Sequence, residues 1–174
     1  MSDVRADLVR RRLIGGLFVL LVVAAGVIID QLVKQWALSG LAGGRVIEVL
    51  PTFDLRLVFN PGVAFGMGAG LGPIVAIVLI GVLAALTGWV AVKVWRGDVV
   101  DAVLLSVVLA GGLGNVIDRV FRAPADAPLT GEVVDYLAVS WFAIFNLADV
   151  FAVGGVLVWL LVITLRSRRR HPST

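Results

Sequence analysis

The sequence predicts a mainly α membrane protein: four transmembrane helices, a small extracytoplasmic β-sheet and an outer loop, all in one membrane-embedded domain over residues 1–174. Three observations lead there. The chain is 60% hydrophobic with a mean hydropathy of +1.03, and a soluble domain would be nearer half apolar. Four apolar runs each approach the roughly 20 residues that a spanning helix needs. Three of those runs carry an aspartate at one depth. Asp30 lies eighteen residues after Arg12, Asp118 seventeen after Asp101, and Asp149 seventeen before Arg166. At about 1.5 Å per residue these separations are roughly 26–27 Å, against a hydrocarbon layer of about 30 Å.

The first span is expected over about 13–36, beginning as an uncharged run over residues 13–29. Its basic start and Ala24, Ala25 and Gly26 have the look of a cleavable leader. The helical pattern continues past them to Asp30, Lys34 and Trp36, which favours a retained anchor. Residues 44–68 read as an outer β segment. Val46 to Leu50 is β-rich, Phe53 to Leu57 alternates apolar with charged, and Pro51 separates the two. Asn60, Pro61 and Gly62 turn the chain, and Ala64, Phe65 and Gly66 lead it back to the membrane. The second and third spans are placed at about 71–94 and 101–119. Residues 120–140, broken by Pro124, Pro128 and Gly131, read as a mobile outer loop ending near Asp135. The fourth span is placed at about 141–165.

Ten of the fifteen Lys and Arg residues flank the helix ends away from the aspartates. By the positive-inside rule both termini are cytoplasmic and the aspartates face outward. The same clustering explains the net charge of +3 without nucleic acid. There is no cysteine, and the single His171 sits in the basic tail. Thiol chemistry, Ser-His triads and HExxH zinc sites are thereby excluded.

Polar residues collect at the outer rim: Asp30, Lys34, Asn60, Asn115, Asp118, Arg119, Asp135, Asn146 and Asp149. Asp30 and Lys34 share a helix face and read as a positioning pair. Asp118 beside Arg119 fits an ordinary ion pair as well as a functional one. Asn115/Asp118 and Asn146/Asp149 repeat one Asn-x-x-Asp unit, and the second lies inside an apolar run, where a polar pair without a role is costly. Gly111, Gly112 and Gly114 read as close-packing positions. Two neighbouring carboxylates cannot both ionise cheaply, so one keeps a proton while the other acts as a base. That chemistry needs no metal or other cofactor. Depth alone favours Asp118 with Asp149. A proton-coupled transporter and a non-enzymatic assembly factor are the alternatives. The absence of a carboxylate chain across the bilayer weighs against the first, and retention of activity without the aspartates would favour the second.

Five motifs then carry a resemblance: residues 30–34 (DQLVK), 60–66 (NPGVAFG), 111–119 (GGLGNVIDR), 133–136 (VVDY) and 145–149 (FNLAD). In this order on four spans they resemble the lipoprotein signal peptidase, or signal peptidase II, family. The resemblance implies a bacterial cytoplasmic-membrane aspartyl endopeptidase. It implies cleavage of diacylglyceryl-modified prolipoproteins just before the lipidated cysteine, at the outer face. It moves the catalytic pair to Asp135 and Asp149. It casts Asp30, Lys34, Asn60, Gly62, Asn115, Asp118, Arg119 and Asn146 as site support or substrate binding. The implied partners are the lipid-modified precursor and membrane lipids; the sequence leaves the oligomeric state open, with a monomer compatible. Tyr136 stands where the family usually has phenylalanine, and Val150 where a small residue is common.

Overall fold

A computed structural model describes the backbone of residues 2–62 and 71–170 and the side chains of 6–62 and 71–168. The return through Ala64, Phe65 and Gly66 and the tail at His171 lie outside the described residues. Among those described, four helices are long and apolar enough to cross a membrane. They are α1 (Ser2–Gly40), α2 (Pro73–Arg96), α3 (Val99–Phe121) and α4 (Leu147–Arg170). Strands β1 (Val46–Leu50), β2 (Phe53–Asn60) and β3 (Val133–Val139) form one antiparallel sheet in the order β1-β2-β3.

Local chemistry sets several of these boundaries. Pro73 opens α2, where its missing N–H costs nothing. Gly97 closes α2 in the left-handed conformation (φ 79°), with its own and the following N–H bonded back to Val94 and Lys93. Pro51 and Thr52 make the β1–β2 turn between the paired residues Leu50 and Phe53.

Helix α3 packs against the other three helices, and its small residues let them approach. A Cβ on Gly111 would lie 2.7 Å from the Ala152 nitrogen and closer still to the Ala148 carbonyl oxygen. One on Gly26 would lie 2.7 Å from the Ala110 Cβ. Val19, Val90, Ala102 and Leu105 form the apolar core at one end of the bundle. At the other end, Ala37 in the last turn of α1 and Leu41 just after it pack beneath Val134 and Tyr136 of β3. The sheet therefore rests on the end of α1. Large apolar side chains such as Leu20, Ile77 and Leu157 are exposed on the outer surface, as lipid-facing positions should be.

Three expectations need correction. The fourth helix starts at Leu147 rather than 141. Residues 141–146 make a turn, and Phe145 exchanges backbone hydrogen bonds with Leu137. Hydropathy continues across that turn, so it cannot mark where the helix begins. The outer loop is also not all loop. Residues 133–139 are a strand, with Asp135 opposite Val58 and Val133 opposite Asn60. Its first four residues are all buried, so the half-exposed alternation that marks β2 is missing. The stretch before it is tied down by Ala127 N–H to Pro124, Thr130 N–H to Ala127 and Gly131 N–H to Arg119. The first helix also extends further than residues 13–36 at both ends.

The packing at Gly111 is open to test. Gly111→Ala should destabilise the protein by about 1–3 kcal/mol through overpacking. Gly154→Ala, whose Cβ would meet nothing within 4 Å, should be neutral or mildly stabilising. Thermal unfolding in detergent micelles reads both.

Candidate functional site

The site begins with the exposed amides of a helix start. Four N–H groups at the head of α4 have no partner within the helix, and here each meets a side chain. Asn146 Oδ1 accepts from the Asp149 N–H (3.1 Å), and Asp149 Oδ2 accepts from the Asn146 N–H (3.0 Å). This reciprocal arrangement is a capping box, with Asn146 as the N-cap. Asp30 Oδ1, reaching across from α1, accepts from the Ala148 N–H (3.0 Å). The Tyr136 hydroxyl accepts from the Leu147 N–H (3.2 Å). Burial pushes that phenol up to about 12, so it stays neutral.

Behind the cap lies a buried ion cluster. The Lys34 ammonium, fully buried, contacts Asp30 Oδ2, Asp118 Oδ2 and Asn115 Oδ1, each at 2.9 Å. Asp118 Oδ1 takes Arg122 at 3.1 Å, and Asp118 Oδ2 also accepts the Val134 N–H of β3 at 3.2 Å. Gln31 donates to Asp30, Asp118 and the Gly114 carbonyl. Removing one partner from such a buried cluster leaves an uncompensated charge, typically a loss of about 3–5 kcal/mol.

Asparagines connect this cluster to the two remaining carboxylates. Asn115 Nδ2 donates to Asp149 Oδ1 at 2.8 Å. Asn146 Nδ2 donates to Asp135 Oδ1 at 2.6 Å and to Asn115 Oδ1 at 3.1 Å. Asn60 Nδ2 donates to Asp135 Oδ2 at 2.9 Å, while its own oxygen accepts the Gly62 N–H at 2.9 Å. Asp135 and Asp149 are thus both held by Asn146, one through its side chain and the other through its backbone. Burial pushes the Asp135 carboxyl up to about 6, and the nearby Asp149 charge adds to the rise. The bonds from Asn60 and Asn146 and the charge of Lys34 act against it. A cavity of about 350 Å³ opens beside Asp135 between Val58, Phe59, Pro61, Ala143 and Ile144.

All ten residues singled out from the sequence meet in this network. Asp30 and Lys34 pair as expected. Three other readings change. Arg119 does not pair with Asp118; it donates to the carbonyls of Pro61 and Gly62 and braces the turn after β2. Asp118 pairs instead with Lys34 and Arg122, and it spends its oxygens there rather than on Asp149. The two Asn-x-x-Asp units are not equivalent, because residues 115–118 sit within α3 and residues 146–149 cap α4. Sequence reasoning missed Gln31, Arg122 and the Tyr136 hydroxyl. Arg122 carried a usable signal, since it stands four residues after Asp118 on one helix face. The other two carried none.

Comparison with known proteins points to one family. A family model described as signal peptidase (SPase) II matches residues 22–165. The lipoprotein signal peptidase of Bifidobacterium adolescentis is 41% identical over 140 residues, covering 79% of this chain and 72% of that one. That of Rhodococcus jostii is 38% identical, covering 84% and 72%. Among solved structures, a bacterial membrane enzyme determined in meso at 2.3 Å resolution superposes with a TM-score of 0.71 at 29% identity, over 90% of this chain and 92% of that one. A second, at 1.9 Å resolution, gives 0.65 at 32% identity.

The hydroxyl cap gives a sharp test. Tyr136→Phe removes the acceptor for the Leu147 N–H without changing the ring. The expected cost is about 1 kcal/mol of stability. Faster hydrogen exchange at the Leu147 amide should accompany it, measured by mass spectrometry.

Proposed function

We propose, since this chain belongs to the signal peptidase II family, that it is a membrane aspartic endopeptidase. It removes signal peptides from diacylglyceryl-modified prolipoproteins, cutting just before the lipidated cysteine, with Asp135 and Asp149 as the catalytic pair. The observation that carries the reading is that Asn146 holds both carboxylates, while burial keeps one of them, Asp135, poised to carry a proton near neutral pH. Such a pair titrates as a unit.

In this reading Asp149 enters ionised and the pair shares one proton, held on Asp135. Asp149 takes a proton from a water whose oxygen attacks the scissile carbonyl carbon. Asp135 gives its proton to the carbonyl oxygen, which forms a tetrahedral diol. Collapse of the diol breaks the C–N bond. The proton taken by Asp149 passes to the leaving amine, and a diol proton returns to Asp135. Asn60, Asn115 and Asn146 fix the carboxyl orientations. Asp30, Lys34 and Asp118 hold the elements that carry them, and Arg119 with Gly62 fixes the turn beside the cavity.

Placement supports the substrate class. A lipid-anchored precursor presents its cleavage site where the hydrocarbon layer ends. Deeper acids would lack water, and acids further out would require the lipid to leave the membrane. We place that rim at the outer face of the bacterial cytoplasmic membrane, with both termini inside, following the basic flanks.

Asp135→Asn and Asp149→Asn should each abolish cleavage of a lipid-modified precursor by purified protein in micelles. Asp118→Asn should lose activity in step with lost stability, because Arg122 loses its acidic partner and Lys34 one of its two. A normal cleavage rate in either of the first two would end the dyad assignment.

The pH dependence has a defined sign. The Asp135 carboxyl titrates at about 6 in the fold and at about 4 in the unfolded chain. The fold therefore holds the extra proton between those values and loses stability as pH rises through them. The total is on the order of 3 kcal/mol. Asp135→Asn should raise the unfolding temperature more at pH 8 than at pH 4. Cleavage should decline on the alkaline side of the Asp135 titration. Asn60→Ala removes a bond that lowers this pKa, and should move that decline to higher pH.

A further inference from the structure

The end of the bundle opposite the aspartates carries a groove that this chemistry does not use. It encloses about 550 Å³ between the N-terminal part of α1 and the α2–α3 turn. Ile14, Phe18 and Val99 give it apolar walls, each of them 41–56% exposed. Arg11, Arg12 and Arg96 also line it, and no acidic residue does. Arg11 is offset by Asp7 at 3.0 Å. Arg12 and Arg96 have no acidic partner among the described residues. The Arg12 guanidinium lies 3.8 Å over the Trp95 ring. That stacking holds its plane and leaves its edge N–H donors free. The groove sits roughly 27 Å from the Asp30 level, at the other surface of the hydrocarbon layer.

Two guanidiniums without an acidic partner among the described residues, beside an apolar slot at a membrane surface, match one kind of molecule in both parts. A phosphate accepts paired N–H donors from arginine, and an acyl chain fills the slot. The signal segment of a substrate fits poorly, because its leading region is basic and would face three arginines. We propose that this groove is a binding site for an anionic glycerophospholipid of the adjoining leaflet, its phosphate on Arg12 and Arg96 and an acyl chain against Ile14, Phe18 and Val99.

The test uses the full chain purified in detergent micelles and titrated with phosphatidylglycerol or phosphatidylcholine carrying brominated acyl chains. Quenching of Trp95 is isolated by subtracting the Trp95→Phe protein. Phosphatidylglycerol should quench at a mole fraction lower by a factor on the order of ten, as two arginines near an anionic headgroup imply. That preference should vanish in Arg12→Gln/Arg96→Gln. Excess inorganic phosphate should leave the quenching in place, since a free anion gains nothing from the slot. If the double variant fails to fold by circular dichroism, Gly15→Leu replaces it. The Gly15 Cβ position has only ordinary contacts, at 3.8 Å to Val94 and Val99, and a leucine there should fill the slot and abolish quenching by either lipid. Equal quenching by the two lipids, a preference that survives the substitutions, or displacement by inorganic phosphate would each overturn the proposal.

Discussion

A helix that starts where water is scarce must find partners for its first amides within the protein. Helix α4 meets this requirement with side chains from three places: Asn146 and Asp149 at its own start, Tyr136 from β3, and Asp30 from α1. Much of the site follows from that demand. Asp30 can reach Ala148 only if α1 and α4 lie close to α3, and Gly114 leaves the space where the Asp30 carboxylate sits. Tyr136 can reach Leu147 only if β3 lies against the cap. The sheet, the first helix and the last helix are therefore located by the same few amides that orient Asp149.

Lys34 makes this arrangement affordable. Asp30 and Asp118 are both fully or almost fully buried, and bringing them together unpaired would cost several kcal/mol. One ammonium between them, with Asn115 as a further acceptor, neutralises most of that charge. Arg122 covers the remaining Asp118 oxygen from the next turn. These cations and the Val134 N–H make Asp118 a brace between α3 and β3, although its depth matches that of Asp149.

The helices were legible because their signal is long and averaged: some twenty apolar residues with charges at the ends. The meeting of Asp30, Asp118 and Asp149 was legible from the same counting, since helical rise converts sequence distance to depth. Strand β3 was not. Seven residues, mostly buried on both faces, look alike to a loop reading and a strand reading, and pairing with β2 settles the matter from a distance. Nor was the start of α4, where the apolar run from Phe142 is broken only by Asn146 and Asp149, whose reciprocal bonds mark the boundary. Arg119 misled because adjacency in sequence was taken for proximity of side chains. On a helix the next residue points about 100° away, and Arg122 is the true neighbour.

The capping box also changes which residue carries the functional argument. A polar pair in an apolar run looks costly without a role, yet Asn146 and Asp149 have a structural role as a cap. Asp30 accepts a backbone N–H from Ala148, and Asp118 accepts one from Val134. Three of the four rim carboxylates thus meet a backbone demand that the fold imposes. Asp135 meets none among the described residues. Its partners are the side chains of Asn60 and Asn146, and its burial raises its pKa instead of satisfying the chain. A fold seeking stability alone would put an asparagine or an apolar residue at that position of β3. An acid kept there at a cost, beside an open cavity and sharing Asn146 with Asp149, meets no structural demand among the described residues, which is why the proposed dyad includes it.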